Sequence, residues 1–458
     1  MRKVLLLSLF IGAVLAQPVE GRELQPQEAY RLVNDLFSDE SRVRTRARRK
    51  LIESMDETIA PALVEVVFFS RNGRDDANDI LEKILKTRVD RNEKTHGYKG
   101  WFSVIGSRED LTPKTGYLEF KAAQYSRIDP EFGRFLDPRH PRTIRPEEII
   151  FGGVPKDGIP ALRNPRMISA EAATYLEASD VVFGVSINGD HRAYPRRILA
   201  SHEMANDVIG GEAVSLSYCT LCGSAIVYRG TLESDETYTF GTSGLLYRSN
   251  KLMYDHQTNT LWSQILGEPV VGPLVGKGKK LEVLPITITT WGEWKAMHPE
   301  TKALSLDTGF RRDYSGQVYA DYFASAELMF PVWKLSDELE AKEWVWTLEI
   351  NGVKKAYPLV ALFQEPLIHD VVGEVGIVLI ADRASGSVRV FESGGYEFSL
   401  EGSSSTLVSE GVGFRISEDA LVSEDGSVAL GRIPGHQAYW FGWYAFHPDT
   451  ELFVFDNP

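Results

Sequence analysis

Cysteine is nearly absent from this chain: there are two in 458 residues. Both fall in one phrase, Tyr218-Cys219-Thr220-Leu221-Cys222-Gly223. Two thiolates alone cannot complete a zinc site, which needs three or four ligands. Positive charge is also in short supply, with 50 Lys and Arg against 64 Asp and Glu and a net charge of −14. A phosphate backbone would be repelled, so nucleic acid is not expected as a partner. No apolar run after the first residues is long enough for a membrane span. A Gly-Lys-Ser/Thr phosphate loop and a Gly-x-Ser-x-Gly nucleophile elbow are both missing, which removes two common catalytic signatures.

What remains is a chain able to bury large cores. Its length predicts two or three domains, and 43% apolar with 11% aromatic residues predicts folded structure. Met1-Arg2-Lys3 precedes an apolar run from Val4 to Ala16, and Val14-Leu15-Ala16 suits signal-peptidase cleavage before Gln17. Residues 1–16 are therefore expected to be a signal peptide. No cysteine follows the run to carry a lipid anchor. The expected location is periplasmic or extracellular, free of the membrane.

Residues 17–95 carry apolar positions at helical spacing, as in Val43, Ala47 and Leu51. They predict a HEAT-like helical module, a type that usually docks other proteins, so a protein partner is expected there. Its basic run, Arg42 to Lys50, reads as a solvated helix face. Residues 96–165, rich in Pro, Gly, Trp and Tyr, predict an ordered connector with helical spacing only around Tyr117 to Tyr125.

From about residue 181 the period changes to two. Val181 to Ile187 reads as a strand, Asn188-Gly189 as a hairpin turn, and His191 to Tyr194 as the returning strand. The phrase then recurs. Asn351-Gly352, Ala356-Tyr357-Pro358, Asp370-Val371, Gly373 and Gly386 repeat Asn188-Gly189, Ala193-Tyr194-Pro195, Asp207-Val208, Gly210 and Gly223 at one constant offset. Further on, Trp440, Trp443, His447-Pro448 and Thr450 repeat Trp291, Trp294, His298-Pro299 and Thr301. The expected fold class is α+β, mainly β. Two related β-rich units from an internal duplication, 166–330 and a shorter copy at 331–458, follow the helical module. The copies differ where chemistry is at stake. Asp382 and Ser385 stand in the second copy for Cys219 and Cys222, and Glu365 stands for His202.

Val214, Leu216 and Tyr218 alternate into the motif and Ala225 to Tyr228 lead out of it, so the cysteines are expected on a turn between strands. That geometry lacks the helix N-terminus that activates thioredoxin-type thiols. It resembles a metal knuckle, with His202 as the first candidate third ligand and His256 as the second. Nearby Met204 and Met253 would favour Cu(I), and zinc is the other candidate. A structural disulfide would close a very small ring and stabilise little. Ser243, Gly244, Tyr247, Asp255 and Trp262, in the polar phrase that follows, are candidates for a ligand-cradling pocket. Three functions stay open: an extracytoplasmic copper- or zinc-binding protein, a thiol–disulfide redox protein or sensor, and a β-rich scaffold for a small ligand or partner.

Several phrases together carry a family resemblance: Asp157-Gly158-Ile159-Pro160, His202-Glu203-Met204-Ala205-Asn206-Asp207, Tyr218 to Ser224, Ser243-Gly244-Leu245-Leu246-Tyr247, Leu261-Trp262-Ser263-Gln264 and Arg312-Asp313-Tyr314. Over roughly residues 96–458 the chain resembles the exported prokaryotic family catalogued as domain of unknown function 3179. The resemblance implies no activity. Its pattern carries arginine where this chain has His256, which places His256 behind His202 as a ligand.

Overall fold

The structure, a computed structural model, describes residues 23–92, 94–232, 235–401 and 406–454. The expected signal peptide lies outside the described residues. The chain forms two compact units, the first made by the residues up to Val89 with Thr112–Gly116, the second by Asp90–Leu111 with Tyr117 onward.

In the first unit, helices Pro26–Asp35, Ser41–Ser54, Ala60–Phe69 and Arg74–Leu85 form two hairpins. Ala60–Phe69 is buried along most of its length, while the others bury one stripe each, the pattern of a small helical core. Pro61 sits in the first turn, where its missing N–H costs nothing. The basic run is not simply solvated. Arg44 and Arg48 pair with Asp76 and Asp79 on the fourth helix at 3.3 and 2.8 Å.

Among its described residues the second unit is α+β with six sheets. Residues 96–111 and 117–165 belong to it, and 112–116 to the first unit. Besides Tyr117–Tyr125, Tyr98–Ser107 and Pro130–Phe135 are helical. Ile149–Phe151 adds an edge strand to Phe240–Tyr247, and Leu162–Arg163 pairs in parallel with Met204–Ile209. Gly106 hides the first of these helices from sequence reasoning because it resembles a breaker. It is glycine for packing, since a Cβ there would lie 2.1 Å from the Trp333 ring.

The hairpin Val181–Ile187/Asp190–Pro195 is flanked by Thr287–Thr290, antiparallel, and by Lys302–Leu304, parallel. The hairpin Trp344–Ile350/Val353–Pro358 is flanked in the same senses by His436–Tyr439 and Glu451–Leu452. Side-chain bonds follow the same plan. Asn188 Nδ2 donates to Gly210 O at 3.0 Å and Asn351 Nδ2 to Gly373 O at 2.8 Å. Tyr194 and Tyr357 donate to Asp207 and Asp370 at 2.5 and 2.7 Å. Trp294 and Trp443 donate to Thr301 and Thr450, each at 2.9 Å. Gly210 and Gly373 have φ of +55° and +54°, and a Cβ on either would strike the carbonyl of Ile187 or Ile350. The strand triplets Met204–Ile209/Glu212–Cys219/Ser224–Arg229 and Leu367–Val372/Val375–Asp382/Ser387–Glu392 also share antiparallel order.

Two imidazoles are sealed in the second of these halves. His436 is buried beside Thr347, and burial pushes its pKa down to about 4. His447 packs 4.2 Å from the Trp443 ring and is pushed down to about 3, by burial first and then by the Lys354 charge. Each binds fewer protons folded than unfolded, so stability is full above pH 6.5 and is lost as pH falls toward the folded values. In denaturant titrations, His436→Gln is expected to reduce the stability lost between pH 6.5 and 4 by on the order of 3 kcal/mol. Equal losses in the two proteins would mean that the imidazole is solvated in the native state.

Candidate thiol site

The cysteines close a strand–turn–strand unit, as their flanks predict. Glu212–Cys219 pairs with Ser224–Arg229, Cys219 lies opposite Ser224, and residues 220–223 form the turn. Val214, Leu216 and Tyr218 point into one apolar cluster. Gly223 takes φ +64°, and a Cβ on it would sit 2.4 Å from the Trp344 ring. No helix begins at the motif, so a helix dipole does not act on these thiols. Both cysteines are free and buried, at 1% and 0% exposure.

The thiols are electrostatically unequal. Burial alone would raise the Cys219 pKa. The Cys222 thiol and the backbone amides of Lys251 and Cys222 hydrogen-bond to its sulfur and outweigh burial, so Cys219 is held below the ordinary thiol range. Burial pushes Cys222 well above that range, and its bond to Cys219 and the charge there push it further. The Cys222 Sγ also reaches Ser249 O at 3.4 Å, and Asn250 Nδ2 donates to it at 3.5 Å. Gln264 holds Asn250 in place by accepting its amide at 2.7 Å, and accepts from Ser224 Oγ at 2.9 Å.

An ion pair stands beside the sulfurs. Lys251 Nζ donates to the Glu203 carbonyl at 2.8 Å and lies 3.7 Å from its carboxylate. Burial lowers the Lys251 pKa, opposed by the charges of Glu203 and Cys219. Burial raises that of Glu203, opposed by Lys251. Glu203 has φ +58°, a left-handed conformation that disfavours a side chain and that surrounding contacts must hold. Those contacts include Tyr218 N on its carbonyl at 2.8 Å.

Residues distant in sequence close the rear of the motif. Tyr439 N donates to Cys222 O at 2.7 Å, and Tyr322 Oη to Leu221 O at 2.6 Å. A Cβ on Gly442 would come within 2.9 Å of the Cys222 Cβ. Toward the front, Leu221, Glu203, Lys251, Ser243, Gly244 and Tyr319 line a cavity of about 70 Å³. Around the motif, Ser217 Oγ, Tyr218 Oη, Thr220 Oγ1 and Ser249 Oγ are buried and find no hydrogen-bond partner among the described residues. So much unpaired polarity in one place is unusual in a core.

The expected ligand trio is not assembled. His202 is buried, with Nδ1 2.8 Å from Pro160 O and Nε2 2.5 Å from Tyr314 Oη, which occupies both ring nitrogens. His256 packs against Tyr254 with Nδ1 2.8 Å from Thr239 O. Met204 and Met253 are core residues. Among the described residues no three His, Cys, Asp or Glu side chains converge as a metal-ion site would require. The expected pocket residues also separate. Ser243 and Gly244 reach the cavity. Tyr247 instead packs on Phe446. The buried Asp255 accepts from Trp262 Nε1 at 2.9 Å and from Thr260 N at 3.1 Å, tying its own turn. Sequence reasoning missed Lys251, Glu203, Asn250 and Tyr322 as members of this site. The available signal was Lys251, a charge directly before the apolar run Leu252-Met253-Tyr254.

No curated protein and no solved structure matches the chain. A family model does match, over residues 156–450, narrower than the 96–458 of the sequence resemblance. The matched span holds the cysteines, the Glu203–Lys251 pair and, except for Glu451–Leu452, both sets of repeated strands, and this chain belongs to that protein family of unknown function, DUF3179.

Proposed function

We propose that Cys219 and Cys222 form a working dithiol–disulfide couple, in which Cys219 attacks and Cys222 resolves. The observation that carries this reading is the unequal pair itself. One buried sulfur is supplied with a thiol donor and two amides that outweigh burial and the Glu203 charge, with an ammonium nearby, and burial pushes its partner well above the ordinary thiol range. A merely structural dithiol needs none of these. Attack by a thiolate and resolution by its neighbour is the general path of thiol–disulfide exchange. The matching strand orders and hydrogen bonds of the two halves support descent by duplication, with Asp382 and Ser385 marking the half without thiols. The two helical hairpins support a HEAT-like module able to dock a partner protein, and the apolar leader supports an extracytoplasmic setting.

Copper or zinc binding is the rival reading. With His202 engaged elsewhere, the two sulfurs alone would suit a soft monovalent ion better than zinc. Metal analysis of the purified protein beside Cys219→Ser/Cys222→Ser separates the two. Metal retained stoichiometrically by the parent and lost by the double variant would favour copper. No difference in metal, together with a disulfide that forms and is reduced in the folded protein, supports the couple.

The thiolate absorbance of the reduced protein is expected to rise in two separated steps. The first lies below the ordinary thiol range and the second well above it. Cys222→Ala removes a donor to Cys219, so the first step should move to higher pH. A single step near the value of free cysteine, unmoved by the substitution, would remove the basis for assigning attack to Cys219.

A further inference from the structure

We propose that the second half of the fold holds a binding site for a small uncharged molecule, an apolar body carrying a hydroxyl that the imidazoles of His436 and His447 recognise. This does not rest on the redox reading above. The site is a cavity of about 570 Å³ walled by Ile265, Val283, Leu348 and Phe446, with His436, Trp443 and His447 also in its lining. That size, and an apolar wall interrupted by a few polar groups, are usual for a small-molecule site.

The two halves differ in what meets these positions. Thr287 is opposite Gly184 as His436 is opposite Thr347, and His298 is the counterpart of His447. In the first half a side chain of the protein itself is seated there. Thr287 Oγ1 donates to Glu418 Oε2 at 2.5 Å, and His298 Nε2 lies 3.5 Å from Glu418 Oε1. Two guanidiniums neutralise this buried carboxylate, Arg432 at 2.5 Å and Arg389 at 3.0 Å. Strand pairing identifies their counterparts. Arg389 is opposite Ile380 as Ile226 is opposite Ser217, and Arg432 bridges Phe391 as Val283 pairs with Tyr228. Both cations are thus replaced by apolar side chains, and Glu293, which pairs with Arg389, by Gly442. A buried carboxylate in the second half would find no guanidinium, and an unpaired buried charge is costly.

The polar groups that remain suit a hydroxyl. Lys280 pairs with Glu268 at 3.4 Å and Lys354 with Asp449 at 3.7 Å, and Glu349 lies opposite Lys354 in its strand pair. The Glu268 and Asp449 side chains are 46% and 73% exposed, so water screens them. Burial keeps both imidazoles uncharged around neutral pH, which gives each one N–H and one bare nitrogen. In His436 the Nδ1–H donates to Gln437 O at 3.1 Å, leaving Nε2 bare. Thr347 Oγ1, 3.3 Å from Nε2, donates its proton to His436 O at 2.9 Å. A buried acceptor left in this state is matched by an incoming O–H.

The test is calorimetric titration of the full chain at neutral pH with three probes that share one body: 3-phenylpropanol, 3-phenylpropionate and 3-phenylpropylamine. The alcohol is expected to bind once per chain, at least about tenfold tighter than either charged probe, because the cavity offers a buried charge no free partner. In His436→Phe/His447→Phe, which keeps two rings in place, affinity for the alcohol should fall on the order of tenfold, with an unchanged circular dichroism spectrum showing that the variant folds. If it does not fold, nitrogen NMR of the unaltered chain labelled in histidine decides: the alcohol should move the His436 or His447 ring signals and leave the other imidazoles in place. The proposal is overturned by no binding of the alcohol up to its solubility limit, or by equal or tighter binding of either charged probe. Undiminished binding by the folded variant, or binding that moves neither imidazole, overturns it as well.

Discussion

A sulfur can be held as an anion inside a protein only if the groups around it replace what water supplied. At Cys219 that replacement comes from the Cys222 thiol, two backbone amides and the Lys251 ammonium. Much of the surrounding structure serves this one requirement. The two-residue spacing brings the second thiol within reach. The left-handed Gly223 lets the chain reverse so that Cys222 N faces back to the sulfur. Ser249 and the strand Asn250–Asp255 that follows it deliver three consecutive features from one place: Ser249 O and Asn250 Nδ2 to Cys222, and Lys251 N to Cys219.

The same requirement explains the ion pair. A lone buried ammonium would be costly, and a lone buried carboxylate more so. Glu203 and Lys251 offset each other, and the strained backbone of Glu203 turns its carbonyl toward Lys251 Nζ as well. The pair carries no net charge, so its field is local. The ammonium stabilises Cys219, while the carboxylate opposes it. On the proposed reading this balance keeps Cys219 anionic without fixing it there, which a reversible couple requires.

Period and turn chemistry made much of the architecture legible. The Asn-Gly turns, the repeated Tyr–Asp and Trp–Thr phrases and the helix at Ser41–Ser54 all follow from local residue choice, and the cysteine turn was readable from the alternation on either side. The partners of the thiols were not, because they arrive through long-range packing. Lys251, Tyr322 and Gly442 lie far from Cys222 in sequence, and nothing in their local pattern says where they fold. His202 misled for a related reason. A histidine before the right strand looks like a ligand until both of its nitrogens are seen bonded to Pro160 and Tyr314. Asp255 and Trp262 misled similarly, being polar and aromatic groups that satisfy one another.

The second half of the fold supplies an internal comparison for the thiol turn. Val375–Asp382 and Ser387–Glu392 form the same strand–turn–strand, with Asp382 opposite Ser387 as Cys219 is opposite Ser224. There Ser385 Oγ donates to Asp382 Oδ2 at 2.7 Å. An anion receives a donor three residues on, at the positions where Cys222 serves Cys219. The turn therefore accommodates an acceptor and a donor irrespective of sulfur, and its geometry alone does not call for cysteine. Serine and aspartate meet the structural need while staying chemically inert and partly exposed. What distinguishes the first turn is the burial of both sulfurs and the Glu203–Lys251 pair beside them; the second turn reaches a different charged group, Arg389, which donates to Ser387 at 3.1 Å. On the proposed reading, the burial of both sulfurs beside that pair is the strongest reason to treat them as reactants and not as packing.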